Sequence, residues 1–261
     1  MPIITLTTDF GTRDHFVAVM KGVILGIAPK VSIVDITHEI EPFAVGEAAF
    51  TLGEAWQWFP KKTIHVCVVD PGVGSMRRPI LVEAGGHYLV GPDNGSFGLI
   101  CARDRKARVR HLTSVRYFAQ ERSQTFHGRD VFAPVAAQLA LGVRPASLGA
   151  VIADVSRTTL EAPVRTSTRT WAGAVLKVDR FGNLITNFHL SEFPDLARCQ
   201  IAMIAGIQPV DYLVRCYADA PPGEAVAIIG SSGYLEVIVN QGSAAKRLGC
   251  GVGAPVELSI L

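Results

Sequence analysis

The sequence is poor in charged residues and cysteines and has no long apolar run, and each scarcity argues against a class of protein. Charged side chains make up 18% of the 261 residues, and the formal net charge is only +2. Nucleic-acid binding needs a clustered basic face, so no nucleic-acid partner is expected. No apolar run approaches the ~20 residues of a membrane-spanning helix, so no membrane association is expected either.

The five cysteines are odd in number, widely spaced and without a CxxC pair, which argues against a zinc site or a disulfide framework. The segment MPIITLTTDF has no basic leader before its apolar stretch, so it does not resemble a secretory signal. Together these features predict a reduced, cytoplasmic protein. The densest basic stretch, Arg103 to Arg110, is interpreted as a solvated surface segment.

Several catalytic motifs are also missing. There is no GxxxxGK[ST] phosphate loop, no GxGxxG after the first predicted strand, and neither GxSxG nor HExxH. Phosphoryl transfer and dinucleotide-dependent hydride transfer therefore lose support. The remaining polar residues form no good metal-ligand set, so no metal site is predicted.

The hydrophobic residues, at 49% of the chain, are arranged as alternating strands and helices in the first half. A helix is predicted over 16–27, because apolar residues recur there at helical spacing, and Pro29 follows it. The other predicted elements are strands over 3–8, 31–36 and 63–69, a helix over 46–58, a hairpin of 79–84 with 87–91, and a helix near 131–142. This alternation predicts an α/β domain with a Rossmann-like, mainly parallel sheet.

The second half has a different pattern. Residues 143–170 are irregular, and a domain boundary is placed within them, giving an α/β domain over 1–160 and a second domain over 161–261. Short strands separated by turns predict a small antiparallel β-barrel-like fold in the second domain. These strands are expected over 172–178, 184–188, 199–204, 225–230, 234–240 and 255–260.

Two aspartates follow predicted parallel strands, and ligands collect at the carboxyl ends of such strands. Asp9 follows the first strand, and Asp70 opens the turn Asp70-Pro71-Gly72, after which Arg77 and Arg78 precede the next strand. This second stretch is either a reactive loop or a surface turn with a local Asp–Arg pair.

Two further segments remain open to alternative interpretations. In the stretch TFHGRD, Asp130 is a candidate helix cap, and His127 is either a reactive or a structural histidine. In the stretch DRFGN, Asp179 and Asn183 around an aromatic residue could bind ribose and stack a base, or could simply form a turn.

Taken together, seven ordered motifs resemble the S-adenosyl-L-methionine (SAM) hydroxide adenosyltransferases, which are relatives of the SAM-dependent fluorinase and chlorinase. The resemblance extends almost from end to end. The motifs are TLTTDFG at 5–11, DITHEIEPF at 35–43, VVDPGVGSMRRPI at 68–80, GPDNGSFG at 91–98, TFHGRDVFAPVAA at 125–137, VDRFGNLITN at 178–187 and GSSGYLEVIVNQGSAA at 230–245.

The resemblance implies hydrolysis of SAM to adenosine and L-methionine by metal-free attack of water or hydroxide at the ribose C5′, with no cofactor. By motif, the catalytic residues are Asp70, Arg77 and His127. The fluorinating relatives carry Tyr where this chain has Asp70, a Tyr-Ser pair where it has His127-Gly128, and an extra loop that is absent after residue 78. These differences favour water over halide. Our hypothesis is that Arg77 polarises the water, His127 holds it or relays its proton, and Asp70 orients both and is a candidate proton acceptor.

The resemblance also implies a set of substrate-binding residues. Asp9 would hold the ribose hydroxyls, Phe43 and Phe126 would line the nucleoside pocket, and Tyr217 is a candidate for stacking on adenine. Because the halogenating relatives have Arg where this chain has Ser232, the contact to the substrate carboxylate differs here. The remaining positions are Asp179, Phe181, Asn183, Ser231, Ser232, Glu236 and Val239.

A homotrimer is implied as well, with the ligand between the first domain of one subunit and the second domain of its neighbour. Three alternatives stay open at this point. The first is a SAM-dependent halogenase that uses chloride as the nucleophile. The second is a non-catalytic sensor that binds adenosine or SAM, and the third is an unrelated α/β hydrolase-like enzyme.

Overall fold

The computed structural model describes residues 1–157, 161–210 and 212–261. The chain forms two compact units, Met1–Thr159 and Leu160–Leu261, which are called the N-terminal and C-terminal units below. The boundary predicted between residues 160 and 161 adjoins residues 158–160, which lie outside the described part, and it stays a prediction. The architecture is an α/β unit with a Rossmann-like mixed sheet, followed by a β unit whose sheet curls as a half-barrel.

The N-terminal unit is built on one mixed sheet with the strand order β2-β1-β3-β5-β4-β6-β7. Its strands are β1 (Ile3–Thr8), β2 (Ser32–Thr37), β3 (Ile64–Val68), β4 (Pro79–Ala84), β5 (His87–Pro92), β6 (Arg108–His111) and β7 (Val151–Ile152). Only β2, β1, β3 and β5 pair in parallel. The expectation of a mainly parallel sheet is therefore wrong for half of the pairings, because the β4–β5 hairpin reverses the chain and the later strands add antiparallel.

Helices cover both faces of this sheet. They are α1 (Phe16–Ile27), α2 (Val45–Ala55), α3 (Gly98–Arg103) and α4 (Ala133–Ala140). Helices α1 and α4 pack on one face, where Met20 and Ile24 are fully buried against strand residues such as Leu6. Helices α2 and α3 pack on the other face. The helix predicted over 16–27 is confirmed, because its apolar stripe is the side that meets the sheet.

The structure adds detail to two predictions in this unit. The stretch Arg103 to Arg110 is mostly exposed, as predicted, but it also holds the end of α3 and part of β6, and Arg110 forms an ion pair with Glu83 on β4 at 2.9 Å. The helix expected near 131–142 begins with a π-helical turn over Gly128–Phe132 and continues as α4 only to Ala140. In both places contacts with distant segments, and not only the local sequence pattern, determine the structure.

The C-terminal unit is a sheet with the main strand order β12-β11-β16-β9-β10-β15-β14-β13, and β8 pairs with β9. Its strands are β8 (Val164–Arg165), β9 (Thr170–Val178), β10 (Leu184–His189), β11 (Ile201–Ala205), β12 (Gln208–Val210), β13 (Leu213–Val214), β14 (Ala225–Ile229), β15 (Tyr234–Val239) and β16 (Pro255–Ile260). The pairings are antiparallel except for β13 with β14. Its main core includes Leu184, Phe188 and Leu235, all fully buried.

One short helix, α5 (Ala244–Leu248), was not predicted in this unit. The Ser243 hydroxyl accepts a hydrogen bond from the Lys246 backbone N–H at 3.2 Å, and Gly249 ends the helix with φ +64°. A serine cap and a left-handed glycine are recognisable helix boundaries. At five residues, however, the helix is too short to show a hydrophobic period.

Candidate active site

Asp9 and Asp70 lie at the same edge of the parallel sheet. Strands β1 and β3 are parallel neighbours, with Thr8 paired to Val68, and each aspartate follows the end of its strand. Adjacent parallel strands present their carboxyl ends at one edge, which is where open α/β sheets bind ligands. Both aspartates line a 310 Å³ cavity in the N-terminal unit, called the first cavity below.

The loop after β3 brings Arg77 between Asp70 and His127. Gly74 has φ +77°, and a Cβ placed there would lie 2.5 Å from the backbone oxygen of Gln124. Only glycine therefore lets the 70–78 loop pack so closely against the segment that carries His127. This contact brings together two motifs that are 50 residues apart.

Arg77 donates hydrogen bonds to both of its partners. Its Nε donates to Asp70 Oδ1 at 3.0 Å, its Nη2 donates to Asp70 Oδ2, and Nη2 also donates to His127 Nδ1 at 2.7 Å. The side chains of Asp70 and Arg77 are only 5% and 9% exposed, so the forked ion pair is largely shielded from water. Such charge-assisted pairs hold their members in a defined geometry.

This geometry determines which nitrogen of His127 carries the proton. A guanidinium has donors and no acceptor, so His127 Nδ1 must accept and the neutral ring is protonated at Nε2. Burial, and then the positive charge of Arg77, lower the pKa of His127 below its usual value, which favours the neutral ring. At neutral pH His127 is therefore a hydrogen-bond donor through Nε2.

Arg77 itself lies behind the first cavity. Asp70 and His127 line the cavity, whereas Nη1 of Arg77 is buried with no hydrogen-bond partner among the described residues, and the guanidinium packs over Phe132 at 5.4 Å. In this arrangement Arg77 orients the two cavity-lining groups. Direct contact of Arg77 with a water molecule, as in our hypothesis from the sequence, would need its side chain to turn.

Aromatic rings form one wall of the first cavity. Phe10, Phe16 and Phe126 are in mutual contact, with ring centroids 5.2–5.8 Å apart. Phe43 is 71% exposed and has φ +70°, and its backbone N–H donates to Asp9 Oδ2 at 2.9 Å. Asp9 therefore stabilises an unusual backbone conformation, and among the described residues its Oδ1 makes no hydrogen bond.

Several cavity-lining residues were not predicted from the sequence. Phe10 and Gly128 stand next to predicted site residues, so proximity within a motif was the available signal. Phe16 was interpreted only as part of the apolar stripe of α1. The full unpredicted set is Phe10, Phe16, Pro42, Val68, Val73, Thr125 and Gly128.

Asp130 does not cap a helix as the sequence suggested. Its carboxylate accepts hydrogen bonds from Arg129 Nε at 2.6 Å and from the Ser123 backbone N–H at 2.7 Å. Helix α4 begins after the π-helical turn, with Pro134 in its first turn. Asp130 therefore stabilises the 123–130 segment on which His127 lies.

In the C-terminal unit, the Asp179–Asn183 segment forms a turn between β9 and β10. Asp179 Oδ1 accepts from the backbone N–H groups of Phe181 and Asn183, at 2.9 and 2.8 Å, and Oδ2 accepts from the Asn183 side chain at 2.8 Å. The turn interpretation of this segment is thus correct. It presents Phe181, 77% exposed, at the tip.

A second cavity, of 540 Å³, lies beside this turn. Phe181 and Tyr217 expose their rings to it, and Asn183 Nδ2 donates to the Tyr217 hydroxyl at 3.3 Å. Two exposed aromatic rings and one amide suit a flat heteroaromatic ring with polar edges. The lining residues are Phe181, Asn183, Tyr217, Val239, Gln241 and Gly242. The last two were not predicted, although they lie within the last motif.

Four predicted residues of this unit, Asp179, Ser231, Ser232 and Glu236, do not line the second cavity. Ser231 is exposed, and the backbone oxygen of Ser232 accepts from His189 Nε2 at 3.1 Å. Glu236 is a buried residue of β15, 8% exposed. Of the predicted residues in the last motif, 230–245, only Val239 lines the second cavity.

The described residues, 1–157, 161–210 and 212–261, contain neither a metal-binding cluster nor a membrane-spanning helix. No group of three or more His, Cys, Asp or Glu side chains in that part of the chain is arranged to hold a metal ion. None of the helices described is long and apolar enough to cross a membrane.

Comparison with known proteins agrees with the resemblance seen in the motifs. The SAM hydroxide adenosyltransferase N-terminal domain matches residues 4–149, and the C-terminal domain of the same family matches residues 173–257. The chain is 39% identical over 252 residues to the (R)-S-adenosyl-L-methionine hydrolase of Salinispora tropica, covering 95% of this chain and 94% of that protein.

More distantly, the chain is 28% identical over 274 residues to a fluorinase of Actinoplanes sp., covering 92% of this chain and 91% of that protein. A crystal structure of an uncharacterized conserved protein from Thermotoga maritima superposes with a TM-score of 0.92 at 34% identity, covering 98% of this chain and 99% of that one. The two domain matches together span well over half of the sequence. The chain belongs to the SAM hydroxide adenosyltransferase family.

Proposed function

We propose that this protein hydrolyses S-adenosyl-L-methionine to adenosine and L-methionine. The observation that carries the proposal is the hydrogen-bonded cluster of Asp70, Arg77 and His127 at the first cavity, in a chain of this family. The greater identity to a hydrolase than to a fluorinase supports water rather than halide as the nucleophile.

The reaction is a substitution at the ribose C5′. The oxygen of water forms a bond to C5′, the bond from C5′ to sulfur breaks, and the sulfur keeps the electron pair as a neutral thioether. One proton is released for each turnover. Because the leaving group is neutral, it needs neither a general acid nor a Lewis acid, and we propose that the enzyme uses no metal ion and no cofactor.

The difficult step is the activation of water. Free water has a pKa of about 15.7 and an ordinary aspartate a pKa of about 3.9, so complete proton transfer in advance would cost roughly 16 kcal/mol. Proton transfer must therefore accompany attack, or the site must stabilise a hydroxide ion. Asp70 is the acceptor for the water proton, and the Nε2–H of His127 donates to the oxygen that becomes hydroxide-like.

In this scheme Arg77 positions the other two groups. Its fork holds Asp70 through both carboxylate oxygens and keeps His127 in the Nε2–H form. Asp9, whose Oδ1 makes no hydrogen bond with the residues that the structure describes, suits a ribose hydroxyl, and the rings of Phe181 and Tyr217 suit adenine. The alignment of oxygen, C5′ and sulfur would supply much of the remaining acceleration.

The test is chromatography of purified protein incubated with SAM, using each sulfonium epimer separately because the Salinispora relative is named for the (R) form. Parallel reactions contain a chelator and either no chloride or high chloride. Equal amounts of adenosine and methionine, unaffected by chelator and chloride, are expected. A chlorinated nucleoside would move the function to halogenation, loss of activity with chelator would refute the metal-free step, and bound but uncleaved SAM would indicate a sensor.

We further propose a cytoplasmic homotrimer without a nucleic-acid partner, in which each site combines the N-terminal unit of one subunit with the C-terminal unit of another. Two inactive variants test the shared site: Arg77→Ala, and the double variant Phe181→Ala with Tyr217→Ala. Co-expressed in equal amounts, they should recover about a quarter of wild-type activity, because random mixing leaves about a quarter of intersubunit sites intact. No recovery in mixed oligomers, or a monomer by light scattering, would contradict the proposal.

A further inference from the structure

His38 is a buried histidine that does not line the first cavity but is connected to it. It follows β2, is 5% exposed, and its Nδ1 lies 2.9 Å from the hydroxyl of Thr8, the last residue of β1. On the other side of the ring, Nε2 lies 3.1 Å from Asp35 Oδ1, a close contact that is poorly aligned for a hydrogen bond. Lys21 of α1 pairs in turn with Asp35 Oδ2 at 2.6 Å. These four side chains, called the His38 network below, extend from the surface to the carboxyl end of β1.

The charges in the His38 network determine the direction of its hydrogen bonds. Burial alone would raise the pKa of Asp35, but the contacts with Lys21 and His38 outweigh it and lower that pKa below its usual value, so the carboxylate is ionised and can only accept. The nitrogen that faces it, His38 Nε2, therefore carries a proton, and in the neutral ring Nδ1 accepts from the Thr8 hydroxyl. The Thr8 oxygen accepts in turn from the Phe10 backbone N–H at 3.3 Å. The network thus ends on the loop that follows β1.

That loop carries Asp9, and the segment around His38 holds it at two further points. The His38 carbonyl accepts from the Gly11 backbone N–H at 2.8 Å. The Phe43 backbone N–H, at the end of the same motif, donates to Asp9 Oδ2 at 2.9 Å. Because Oδ2 is occupied and Oδ1 makes no hydrogen bond with the described residues, Oδ1 can meet a ligand only where this loop directs it. The position of Asp9 therefore depends on the contacts on both sides of it, and one of these is the Thr8 end of the network.

The same strand carries a second pair of this kind, which provides an internal comparison. The Thr5 hydroxyl lies 2.8 Å from His65 Nδ1, and Thr5 and Thr8 are both 0% exposed. Thr5 stands three residues before Thr8, within β1 and away from the loop that carries Asp9. A general structural role of a buried threonine–histidine pair would apply to both pairs, whereas an effect on Asp9 would be specific to Thr8.

We propose that Thr8 and His38 are positioning residues, which act through the His38 network to direct Asp9 Oδ1 toward the ribose hydroxyls of the substrate. This inference rests on the proposed function for the identity of the ligand. Loss of the Thr8 hydroxyl would leave both His38 Nδ1 and the Phe10 N–H without their partner in a buried environment, which is costly unless the backbone moves. A shift of the loop would then move Asp9 away from its hydroxyl partners without changing any group that contacts the adenine.

The experiment measures the affinities of two nucleosides by calorimetry. Adenosine carries both ribose hydroxyls and 2′,3′-dideoxyadenosine carries neither, and since neither has a sulfonium, the affinities do not depend on turnover. Thr8→Val removes the hydroxyl and keeps the side-chain shape, Thr8→Ser keeps the hydroxyl, and Thr5→Val is the matched control on the same strand. A second pair of variants tests the other side of the hydrogen bond: His38→Asn keeps an acceptor near the Nδ1 position, and His38→Leu does not.

The expected result is selective for the ribose hydroxyls. Wild type should bind adenosine more tightly than the dideoxy compound. Thr8→Val and His38→Leu should bind adenosine roughly tenfold more weakly than wild type does, and the dideoxy compound within about twofold of wild type. Thr8→Ser and Thr5→Val should keep the wild-type preference for adenosine, and His38→Asn should keep more of it than His38→Leu.

Other outcomes overturn the proposal. The wild-type preference in both Thr8→Val and His38→Leu would show that the network does not direct Asp9. Equal weakening of both nucleosides, or the same loss of preference in Thr5→Val, would show a general structural role of buried hydroxyls. A wild type that binds both nucleosides equally would show that Asp9 binds no ribose hydroxyl. Selective loss in Thr8→Val, together with a wild type that is inactive in the hydrolase assay, would support this inference and refute only the proposed function.

Discussion

The buried side chain of His65 should make the free energy of unfolding decrease as the pH falls. His65 is the second residue of β3 and is fully buried, with Nδ1 2.8 Å from the Thr5 hydroxyl and Nε2 3.2 Å from His87 Nδ1. Burial first, and then the charge of His87, lower the pKa of His65 to about 3. In the unfolded chain the same imidazole has a pKa of about 6.5. The folded protein therefore requires a neutral ring where the unfolded chain takes up a proton.

The sign and size of the effect follow from proton linkage. The unfolded state binds more protons between pH 3 and 6.5, so the stability from the neutral ring is present above pH 6.5 and is lost as pH falls. Between about pH 7.5 and pH 4.5 the loss is about 3 kcal/mol for this one group. Small domains are stable by only about 5–15 kcal/mol, so the effect should be easy to measure.

The assay is urea unfolding of wild type, His65→Asn and the control His15→Asn at a series of pH values. His15 is exposed on the surface of the N-terminal unit. Because His65→Asn also changes packing, the quantity compared is the change in unfolding free energy with pH. We expect that change to be about 3 kcal/mol smaller in His65→Asn than in wild type or the control. The same pH dependence in all three proteins would refute the reasoning.

Three further predictions concern the site and its support. Arg77→Lys keeps the charge but loses the fork, and should lower kcat by about 10²-fold with little change in KM; a near-normal kcat in steady-state kinetics would count against its positioning role. His127→Gln keeps an N–H donor near the Nε2 position and should retain about tenfold more activity than His127→Ala, whereas equal activities would remove the donor assignment. Gly91→Ala places a Cβ 2.4 Å from the Cys67 carbonyl oxygen and should lower the free energy of unfolding by about 2 kcal/mol or more in urea titrations. Gly22→Ala, which meets nothing within 4 Å, is the control and should not be destabilised.

Much of the N-terminal site could be predicted from the sequence because its signals are local. The run IITLTT predicts a buried strand ending before Asp9, and TIHVCVV predicts another ending before Asp70. Once both strands are taken as parallel, the two aspartates must lie at one edge of the sheet, as they do. The apolar stripe of α1 was equally readable, since it depends only on helical spacing.

Other features were predicted wrongly or not at all because they depend on pairing between distant segments. The basic stretch Arg103 to Arg110 is mostly exposed, as predicted, but the sequence does not show that Arg110 pairs with Glu83 across adjacent strands. Asp130 looked like a helix cap, but its partners are Arg129 and the Ser123 backbone. A charged side chain in a sequence carries no sign of which distant backbone or carboxylate it will meet.

The sequence by itself determined the family, the alternation of elements and the two strand-end aspartates, because motifs and periodicity are properties of neighbouring residues. Only the tertiary structure decided that Arg77 reaches a histidine 50 residues away, and so which nitrogen of His127 carries the proton. Only the tertiary structure buries Glu236 within β15, where burial first and then Asp179 raise its pKa to about 7. Burial and hydrogen bonding to distant groups set the protonation of a side chain, and both exist only once the chain has folded.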